Sequence, residues 1–397
     1  MRKLLFIAVL LPILGGVGWW YFREQQMPDY GPAFREFAYV TNGKSNTVSV
    51  IDLRFFRLEK TLHVGVDPTG LATNSKKNEI YVVNSGSNNV SVINAETNTI
   101  VATIGVQGRP YFIDVSADGK RAYVANSGSS NVSVIDLEKR SVVANVRVGA
   151  SPGMARISPD GSTVVVSNRG DNTVSLIDAN MLRVRATLPI CKQPEDVAIL
   201  PDSSKAFVSC SGSSQVASIQ LASQDPKVQP KKDDRVLALL DVGRTPVSLT
   251  VKPDGGEMIV CNFDADTISI VETYTDEVSS SPEIGQHPSR GVVTLDNSRL
   301  YVSDFGSNSV TVFDIDMGRR ITTLNVGSHP DGLALTPDQN YLLVVGTESG
   351  DVTVIQKRKP HRTLETSEYS LVTMIPVGVQ PNAIVVKTFM ATKASAK

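Results

Sequence analysis

Short apolar stretches, separated by Ser, Asn, Gly and Asp, follow one another along residues 37–387. Within each stretch, apolar and small polar residues alternate, as in Val-Ser-Val-Ile-Asp at 132–136. A period of two is typical of β-strands, and the residues between the stretches are typical of tight turns. The pattern therefore predicts an all-β domain.

The predicted strands recur at a fixed interval. The segment YVANSGSSNVSVID starts at Tyr123, and YVVNSGSNNVSVIN starts 42 residues earlier, at Tyr81. Equivalent strands start at Tyr39, Tyr81, Tyr123, Val165, Phe207, Ile259, Tyr301 and Leu343. A proline before another short strand keeps the same period, at Pro68, Pro110, Pro152, Pro194, Pro246, Pro288, Pro330 and Pro381. Two landmarks with one period of about 40 residues predict a β-propeller in which each repeat forms a four-stranded blade.

The order of the strands predicts how the ring closes. The array begins with a second-type strand at Tyr39 and ends with a first-type strand, Pro381–Lys387. Seven complete repeats lie between them, so the leading three strands and the trailing one make an eighth blade. Pairing of the N- and C-terminal strands would remove free sheet edges. Eight blades are expected, and seven is the alternative if one end lies outside the ring.

The repeats resemble a known family. The string Tyr39-Val40-Thr41-Asn42 spells the name of the YVTN-family β-propeller repeat, and NTVSVID at 46–52 and SPDG at 158–161 are similar to it. This resemblance covers residues 38–387 and implies a cell-surface or other extracytoplasmic propeller. The haem-binding propellers of cytochrome nitrite reductases are more distantly similar.

The N-terminus indicates export. Arg2 and Lys3 precede an uncharged stretch, 4–22, that ends in Trp-Trp-Tyr-Phe. This segment can span a membrane, with its positive end inside; a cleaved signal peptide is the alternative. The expected organisation is an anchor or signal at 1–24, a linker at 25–36, the propeller at 37–387 and a flexible tail at 388–397. The propeller is then periplasmic or extracellular, and it is secreted if the segment is cleaved.

Composition limits the chemistry. A formal net charge of −1 argues against nucleic-acid binding. The three cysteines form no CxxC motif, so neither a zinc site nor attached haem is encoded. Cys191 replaces the usual Gly before the proline, and Cys210 replaces the usual Asn at the end of the second strand. Both lie near one rim, which allows a Cys191–Cys210 disulfide in an oxidising compartment; buried free thiols are the default expectation.

Variable polar residues precede the repeat prolines, on loops expected to surround one mouth of the central channel. The predicted ligand-binding rim comprises Asp67, Arg109, Gln193, His287, His329 and Gln380. His287 and His329 occupy matching positions in adjacent blades, where they are candidate ligands of a metal or haem iron, or an acid and a base. Loop histidines without a chemical role are the alternative.

Charged residues also occupy the innermost strands, where other repeats carry small residues. They are Asp114, Arg156, Asp196 and Arg290. We expect Asp114 and Arg156 to form an ion pair between neighbouring blades. The alternative is a polar channel that holds a small anion or a chain of water molecules.

Two inserts, Gln224–Asp233 and Lys357–Tyr369, interrupt the period between third and fourth strands. They are interpreted as solvated loops, with a docking surface as the alternative. Motifs of serine hydrolases, zincins and P-loop proteins are absent from the sequence. The sequence therefore favours a membrane-anchored, non-catalytic scaffold without a cofactor, which binds a protein or a small molecule of the cell envelope. A redox or cofactor-processing enzyme with haem or metal over the channel is the alternative.

Overall fold

The computed structural model describes residues 31, 33–222, 233–358 and 368–391. Residues 36–388 form one compact unit, which is the propeller. Beyond the ends of this unit, the Ala391 N–H donates to the Ala33 carbonyl at 2.7 Å. The predicted anchor at 1–24 and most of both inserts lie outside the described residues. Across the described ranges, no helix has the length and apolar character needed to span a membrane.

The described residues form 32 strands, which are numbered in chain order. Strands β1 to β8 are Phe34–Asn42, Thr47–Asp52, Arg57–His63, Pro68–Thr73, Glu79–Asn84, Asn89–Asn94, Thr99–Gly105 and Pro110–Val115. Strands β9 to β16 are Arg121–Asn126, Asn131–Asp136, Ser141–Arg147, Pro152–Ile157, Thr163–Asn168, Thr173–Asp178, Arg183–Pro189 and Pro194–Ile199. Strands β17 to β24 are Lys205–Cys210, Gln215–Gln220, Arg235–Asp241, Pro246–Val251, Glu257–Asn262, Thr267–Glu272, Glu277–Ser280 and Pro288–Val293. Strands β25 to β32 are Arg299–Asp304, Ser309–Asp314, Arg319–Asn325, Pro330–Leu335, Tyr341–Gly346, Asp351–Lys357, Tyr369–Pro376 and Pro381–Met390. A 3-10 turn, Phe263–Ala265, follows β21.

The strands make eight four-stranded sheets, so the prediction of eight blades is confirmed and the seven-blade alternative is wrong. The first blade has the order β3-β2-β1-β32, which joins the two ends of the array. The second to eighth blades are β4–β7, β8–β11, β12–β15, β16–β19, β20–β23, β24–β27 and β28–β31. Strand β32 continues to Met390, three residues beyond the predicted end of the propeller.

Apolar side chains pack between neighbouring blades. One buried cluster joins Tyr81 and Val90 of the second blade to Ile113, Val124 and Ile135 of the third. The two middle strands of each blade are buried almost throughout, as β5 and β6 are, whereas the innermost strand is partly exposed and the outermost strand alternates between exposed and half-buried residues. The alternation of Val and Ser read in the sequence therefore corresponds to sheets that stack on one another, with small residues where they approach closely.

A polar contact fixes the end of the second strand in most blades. The last residue of that strand, here called the strand-end residue, is Asn in five blades: Asn42, Asn84, Asn126, Asn168 and Asn262. Each amide donates to the residues five and seven positions later; Asn126 Nδ2 lies 2.7 Å from Asn131 Oδ1 and 2.9 Å from Ser133 Oγ. These bonds tie the second strand to the third inside the blade, away from water.

A glycine three residues before the repeat proline packs against the strand-end residue. A Cβ placed on Gly65 would lie 2.7 Å from the Asn84 side chain, and one on Gly149 would lie 2.6 Å from that of Asn168. Glycine at this position, found in six of the eight blades, allows the loop backbone to approach this closely; Gln107 and Cys191 take its place in the third and fifth blades. This contact explains the Gly that recurs before the prolines.

Closure of the ring can be tested by truncation. Deleting residues 378–397 removes β32 and buried aliphatic side chains such as Ile384. At ~1.5–3 kcal/mol for each buried side chain, the loss is comparable to the whole stability of an ordinary domain. We expect a large fall of the thermal unfolding midpoint, or no folding, in protein lacking residues 1–24. Deleting only 392–397 is the control and should change little. Equal midpoints for the two truncations would contradict closure through β32.

The strand-end contact can be tested at Asn126. Asn126→Ala leaves the Ser133 hydroxyl and Asn131 carbonyl without their donor, so we expect a loss of about 1–3 kcal/mol in the free energy of unfolding. Asn325→Ala is the control, because Asn325 lies exposed on an outermost strand, and it should cost less than about 0.5 kcal/mol. Equal effects in urea unfolding would show that the contact contributes nothing.

Candidate functional site

Two sets of loops meet at one end of the propeller, here called the mouth rim. One set precedes the repeat prolines, and the other joins second strands to third strands. The residue that follows the strand-end residue donates its N–H to the carbonyl of the residue before the proline, as Ser127 does to Arg109 at 2.9 Å. These post-strand residues are Gly43, Ser85, Ser127, Arg169, Ser211, Phe263, Phe305 and Thr347. The two loops of each blade therefore hold each other in place at the rim.

The residues before the prolines share an unusual backbone. All eight have a left-handed φ between 48° and 55°. In several blades, their N–H groups donate to an Asn or Asp of the preceding blade; Arg109 N lies 2.8 Å from Asn88 Oδ1, and His329 N lies 2.9 Å from Asn308 Oδ1. The bonds stabilise a conformation that non-glycine residues rarely adopt. The backbone is thus fixed while the side chain is free to vary.

The predicted rim residues lie on the outer edge of the mouth. Asp67, Arg109, Gln193, His287 and Gln380 are exposed, and His329 is half-buried. None of these six side chains lines either of the two cavities that open in the mouth. The predicted rim residues therefore lie on the mouth loops but outside these two cavities.

Two adjoining cavities share Val247 and Arg290. The first, of about 210 Å³, is here called the aromatic cavity, and it is lined by Val247, Phe263, Ser289, Arg290, Phe305 and Asp331. The second, of about 320 Å³, is here called the polar cavity, and it is lined by Tyr111, Met154, Arg169, Glu195, Asp196, Ser211, Thr245, Val247 and Arg290. Together they reach the lower end of the size range of small-molecule sites.

Aromatic rings form one side of the mouth. The rings of Phe263 and Phe305 lie 5.9 Å apart at 52°. The His287 ring stacks on Phe263 at 4.7 Å, and the His329 ring stacks on Phe305 at 4.5 Å. Both phenylalanines are post-strand residues, at positions where most other blades carry Ser, Gly or Thr. An alignment of the repeats at this position could have found them in the sequence.

Arg290 stands at the junction of the two cavities. Its Nε lies 3.4 Å from Asp331 Oδ1, which is a long contact for an ion pair, and its side chain is 42% exposed. Asp331 and Asp196 raise the pKa of the guanidinium, which stays protonated. Since a guanidinium carries five N–H donors in a planar fork, this contact leaves most of them available to a bound molecule.

The polar cavity carries a second arginine. Arg169 pairs with Glu195 at 2.6 Å, and its guanidinium lies 4.6 Å from the centre of the Tyr111 ring. Burial raises the pKa of Glu195, and Arg169 partly reverses that effect. Because Arg169 is already paired and stacked, it contributes a fixed positive charge to the polar cavity and has few N–H donors left for a bound molecule.

The charged residues of the innermost strands join neighbouring blades. The expected ion pair between Asp114 and Arg156 does not form as such. Arg156 instead lies 3.6 Å from Asp196 Oδ1, and its Nε donates to the Val197 carbonyl at 2.6 Å. Asp114 Oδ2 accepts the backbone N–H of Ile157 at 3.1 Å. Burial raises the pKa of Asp114, and the Arg156 charge acts against it.

Asp196, like Asp114, joins its blade to the next one, because its Oδ2 accepts the Leu249 N–H at 3.0 Å. Of the four charged channel residues, Asp196 and Arg290 line the cavities, while Asp114 and Arg156 do not. The sequence could not show which of these residues line a cavity and which join blades. The carboxylates accept hydrogen bonds from backbone N–H groups, and the side-chain pattern carries no information about those bonds.

The two candidate histidines lie outside the two cavities. Both rings lie against phenylalanines, neither lines a cavity, and His329 Nδ1 lies 3.2 Å from Glu348 Oε2. Within the described part of the chain, no group of three or more His, Cys, Asp or Glu residues could hold a metal ion.

A disulfide joins Cys191 and Cys210, with the sulfurs 2.03 Å apart and the Cα atoms 5.7 Å apart. These two residues replace the glycine and the strand-end Asn that touch in other blades. The fifth blade also carries Ala217 where other blades offer Ser or Thr to the strand-end amide. The disulfide is therefore a covalent form of the contact that glycine and Asn make elsewhere. The third cysteine, Cys261, is free and buried.

Comparison with known proteins supports the fold. A model of the YNCE-like beta-propeller family matches residues 19–157, and a model of the 7-bladed lactonase beta-propellers matches residues 255–381. The resemblance to β-propeller repeat proteins is thus confirmed, although this ring has eight blades. A comparison with curated proteins gives no match.

Solved structures are similar in fold at low sequence identity. Hydrazine synthase from Kuenenia stuttgartiensis is 21% identical with a TM-score of 0.55, covering 80% of this chain and 91% of that one. A functionally unknown protein from Desulfotomaculum acetoxidans DSM 771 is 18% identical with a TM-score of 0.60, covering 78% and 98%. The dihydro-heme d1 dehydrogenase NirN, in complex with DHE, is 13% identical with a TM-score of 0.72, covering 92% and 77%. At these identities the likeness concerns the fold alone.

The disulfide predicts a sensitivity to reduction. It closes a loop of 19 residues, so reduction should cost about 3 kcal/mol and lower the thermal unfolding midpoint by several degrees. The triple variant Cys191→Gly, Cys210→Asn, Ala217→Ser restores the contact of the other blades, and its midpoint should not respond to reductant. A wild-type midpoint that dithiothreitol leaves unchanged, with reduction verified by thiol counting, would contradict this role.

Proposed function

We propose that this protein is an extracytoplasmic, membrane-anchored β-propeller that binds a small organic anion with a flat unsaturated face in its channel mouth. The proposal concerns binding without catalysis. The observation that carries it is the position of Arg290, which lines both cavities while one described carboxylate contacts it at 3.4 Å. A carboxylate, sulfonate or phosphate group would take up its remaining donors.

Aromatic rings beside the arginine favour a flat ligand. Phe263 and Phe305 line the same cavity as Arg290, with their ring centres 5.9 Å apart and their planes at 52°. Aromatic pairs gain about 0.5–1.5 kcal/mol beyond the burial of their surface. An apolar wall with one convergent cation is the usual composition of a small-molecule site.

The predicted compartment supports the same function. The uncharged N-terminal stretch favours a membrane anchor that holds the propeller outside the cytoplasm. The Cys191–Cys210 disulfide suits an oxidising environment. The histidines that an enzymatic role would employ are stacked on phenylalanines, outside both cavities. These features favour a binding role over a redox or cofactor-processing one.

A tetrapyrrole is the second candidate, because the fold neighbour NirN is described in complex with DHE and such molecules are flat. An absorption spectrum of protein purified from its own host tests this possibility. A stoichiometric haem-type absorption band would favour the second candidate over the first.

The proposal predicts how variants bind 2-naphthalenesulfonate, a flat anion whose charge is constant near neutral pH. In calorimetric titrations at pH 7.5, Arg290→Gln should weaken binding by about tenfold to a hundredfold, since hydrogen bonds to a charged group contribute ~1.5–3 kcal/mol. Phe263→Leu keeps an apolar side chain without a ring and should weaken binding by about three- to tenfold.

Matched controls separate specific binding from general attraction. Arg109→Gln removes an exposed rim arginine that lines neither cavity, and it should leave affinity within about twofold. Neutral naphthalene-2-sulfonamide and non-planar cyclohexanesulfonate should both bind more weakly than the probe. Equal losses for the Arg290 and Arg109 variants, or no binding of the probe to the wild type, would overturn the proposed function.

A further inference from the structure

One strand-end residue carries a charge beside the aromatic cavity. In the seventh blade, Asp304 occupies the position where five other blades carry Asn. Its side chain is fully buried, and Phe305, which lines the aromatic cavity, follows it directly. Across the sheet, the residue before it, Ser303, pairs with Arg290, and the Arg290 N–H donates to Ser303 Oγ at 3.1 Å.

The hydrogen bonds of Asp304 reverse those of the Asn residues. Its Oδ2 accepts from Ser309 Oγ at 3.1 Å and from Thr311 Oγ1 at 2.7 Å. In the sixth blade, Asn262 Nδ2 instead donates to Thr267 Oγ1 at 3.1 Å and to Ser269 Oγ at 2.9 Å. A hydroxyl can donate or accept, so both residues fit the same place without a change of shape. What differs between the blades is the charge.

The inference rests on the proposed function. We propose that Asp304 determines how tightly the mouth binds an anion: ionised, it offsets Arg290 and weakens binding, and protonated, it permits tight binding. Ser303, the neighbour of Asp304 on β25, pairs with Arg290 on β24, so the two charged residues lie on adjacent strands of one blade. Two unit charges on the order of 10 Å apart, at an effective dielectric constant of about 20 to 40, change affinity by roughly four- to twentyfold.

Burial brings the pKa of the Asp304 carboxyl between the two pH values of the test below. Desolvation raises its pKa to about 6, while Thr311, Ser309, the Gly285 N–H and Arg320 act in the opposite direction. The native state therefore takes up the proton more readily than the unfolded chain. The stability gained by protonation is fully present below about pH 4 and is lost as the pH rises through about 6.

Other titratable groups near this residue define the controls. Arg320 on β27 is a further charged group near Asp304. The Cys261 thiol on β21 stays protonated between pH 5 and 7.5, because burial raises its pKa to about 12. His287, whose carbonyl accepts the Phe305 N–H, and His329, stacked on Phe305, are imidazoles whose protonation would also favour an anion. Their contribution must be measured separately.

The test compares affinities for 2-naphthalenesulfonate at pH 5 and pH 7.5. In the wild type, affinity should rise at least fourfold at pH 5. Asp304→Asn introduces the residue that the repeat itself uses, so it should fold; its affinity at pH 7.5 should match that of the wild type at pH 5. The double variant His287→Gln, His329→Gln should keep most of the pH dependence.

A reciprocal variant and a ligand-free measurement complete the test. Asn262→Asp places a second buried carboxyl beside Phe263 and should lower affinity at pH 7.5. Without ligand, the unfolding midpoint of Asp304→Asn should exceed that of the wild type at pH 7.5, and the difference should shrink at pH 5.

The outcomes distinguish this inference from the proposed function. Binding that is the same at both pH values, or a pH dependence that survives Asp304→Asn and disappears with the histidines, overturns the role of Asp304 alone. The role of Asp304 is also overturned if the difference in unfolding midpoint between Asp304→Asn and the wild type is the same at both pH values. Failure of the wild type to bind the probe at either pH overturns the proposed function and this inference together.

Discussion

The contact between the strand-end residue and the loop before the proline of the same blade determines the geometry of the mouth. A glycine lets the loop backbone reach the Asn side chain, as Gly65 does with Asn84, and the amide satisfies hydroxyl and amide oxygens of the third strand. The backbone of the post-strand residue therefore lies at the equivalent point of the mouth rim in each blade. Because this backbone repeats eight times around the ring, the side chains at that point alone distinguish one part of the mouth from another.

Those side chains make the mouth asymmetric. The sixth and seventh blades supply Phe263 and Phe305, the fourth supplies Arg169, and the seventh supplies Arg290 between the two cavities. Three of the blades also lack the usual strand-end Asn, with Cys210 in a disulfide in the fifth blade, the buried carboxyl of Asp304 in the seventh and Gly346 in the eighth. The proposed binding site is thus built from departures from the repeat.

The fold could be predicted from the sequence because every repeat carries the same features. These are strands of alternating apolar and polar residues, turn residues between them, and a proline at a regular position. The sequence also indicated the partners Cys191 and Cys210, since both stand at positions where another residue type recurs. The site was harder to predict. Whether a carboxylate such as Asp196 meets an arginine or a backbone N–H depends on how neighbouring blades rotate against each other. The stacking of His287 on Phe263 likewise joins two blades, and no pattern within one repeat encodes it.

The central claim is that Arg290 and the phenylalanines beside it form a binding site for a flat anion. A crystal structure of the protein with 2-naphthalenesulfonate tests it most directly. The account predicts the sulfonate within hydrogen-bonding distance of the Arg290 guanidinium, about 2.7–3.2 Å, and the naphthalene in contact with the Phe263 and Phe305 rings. A probe bound elsewhere with both cavities filled only by water would contradict the account.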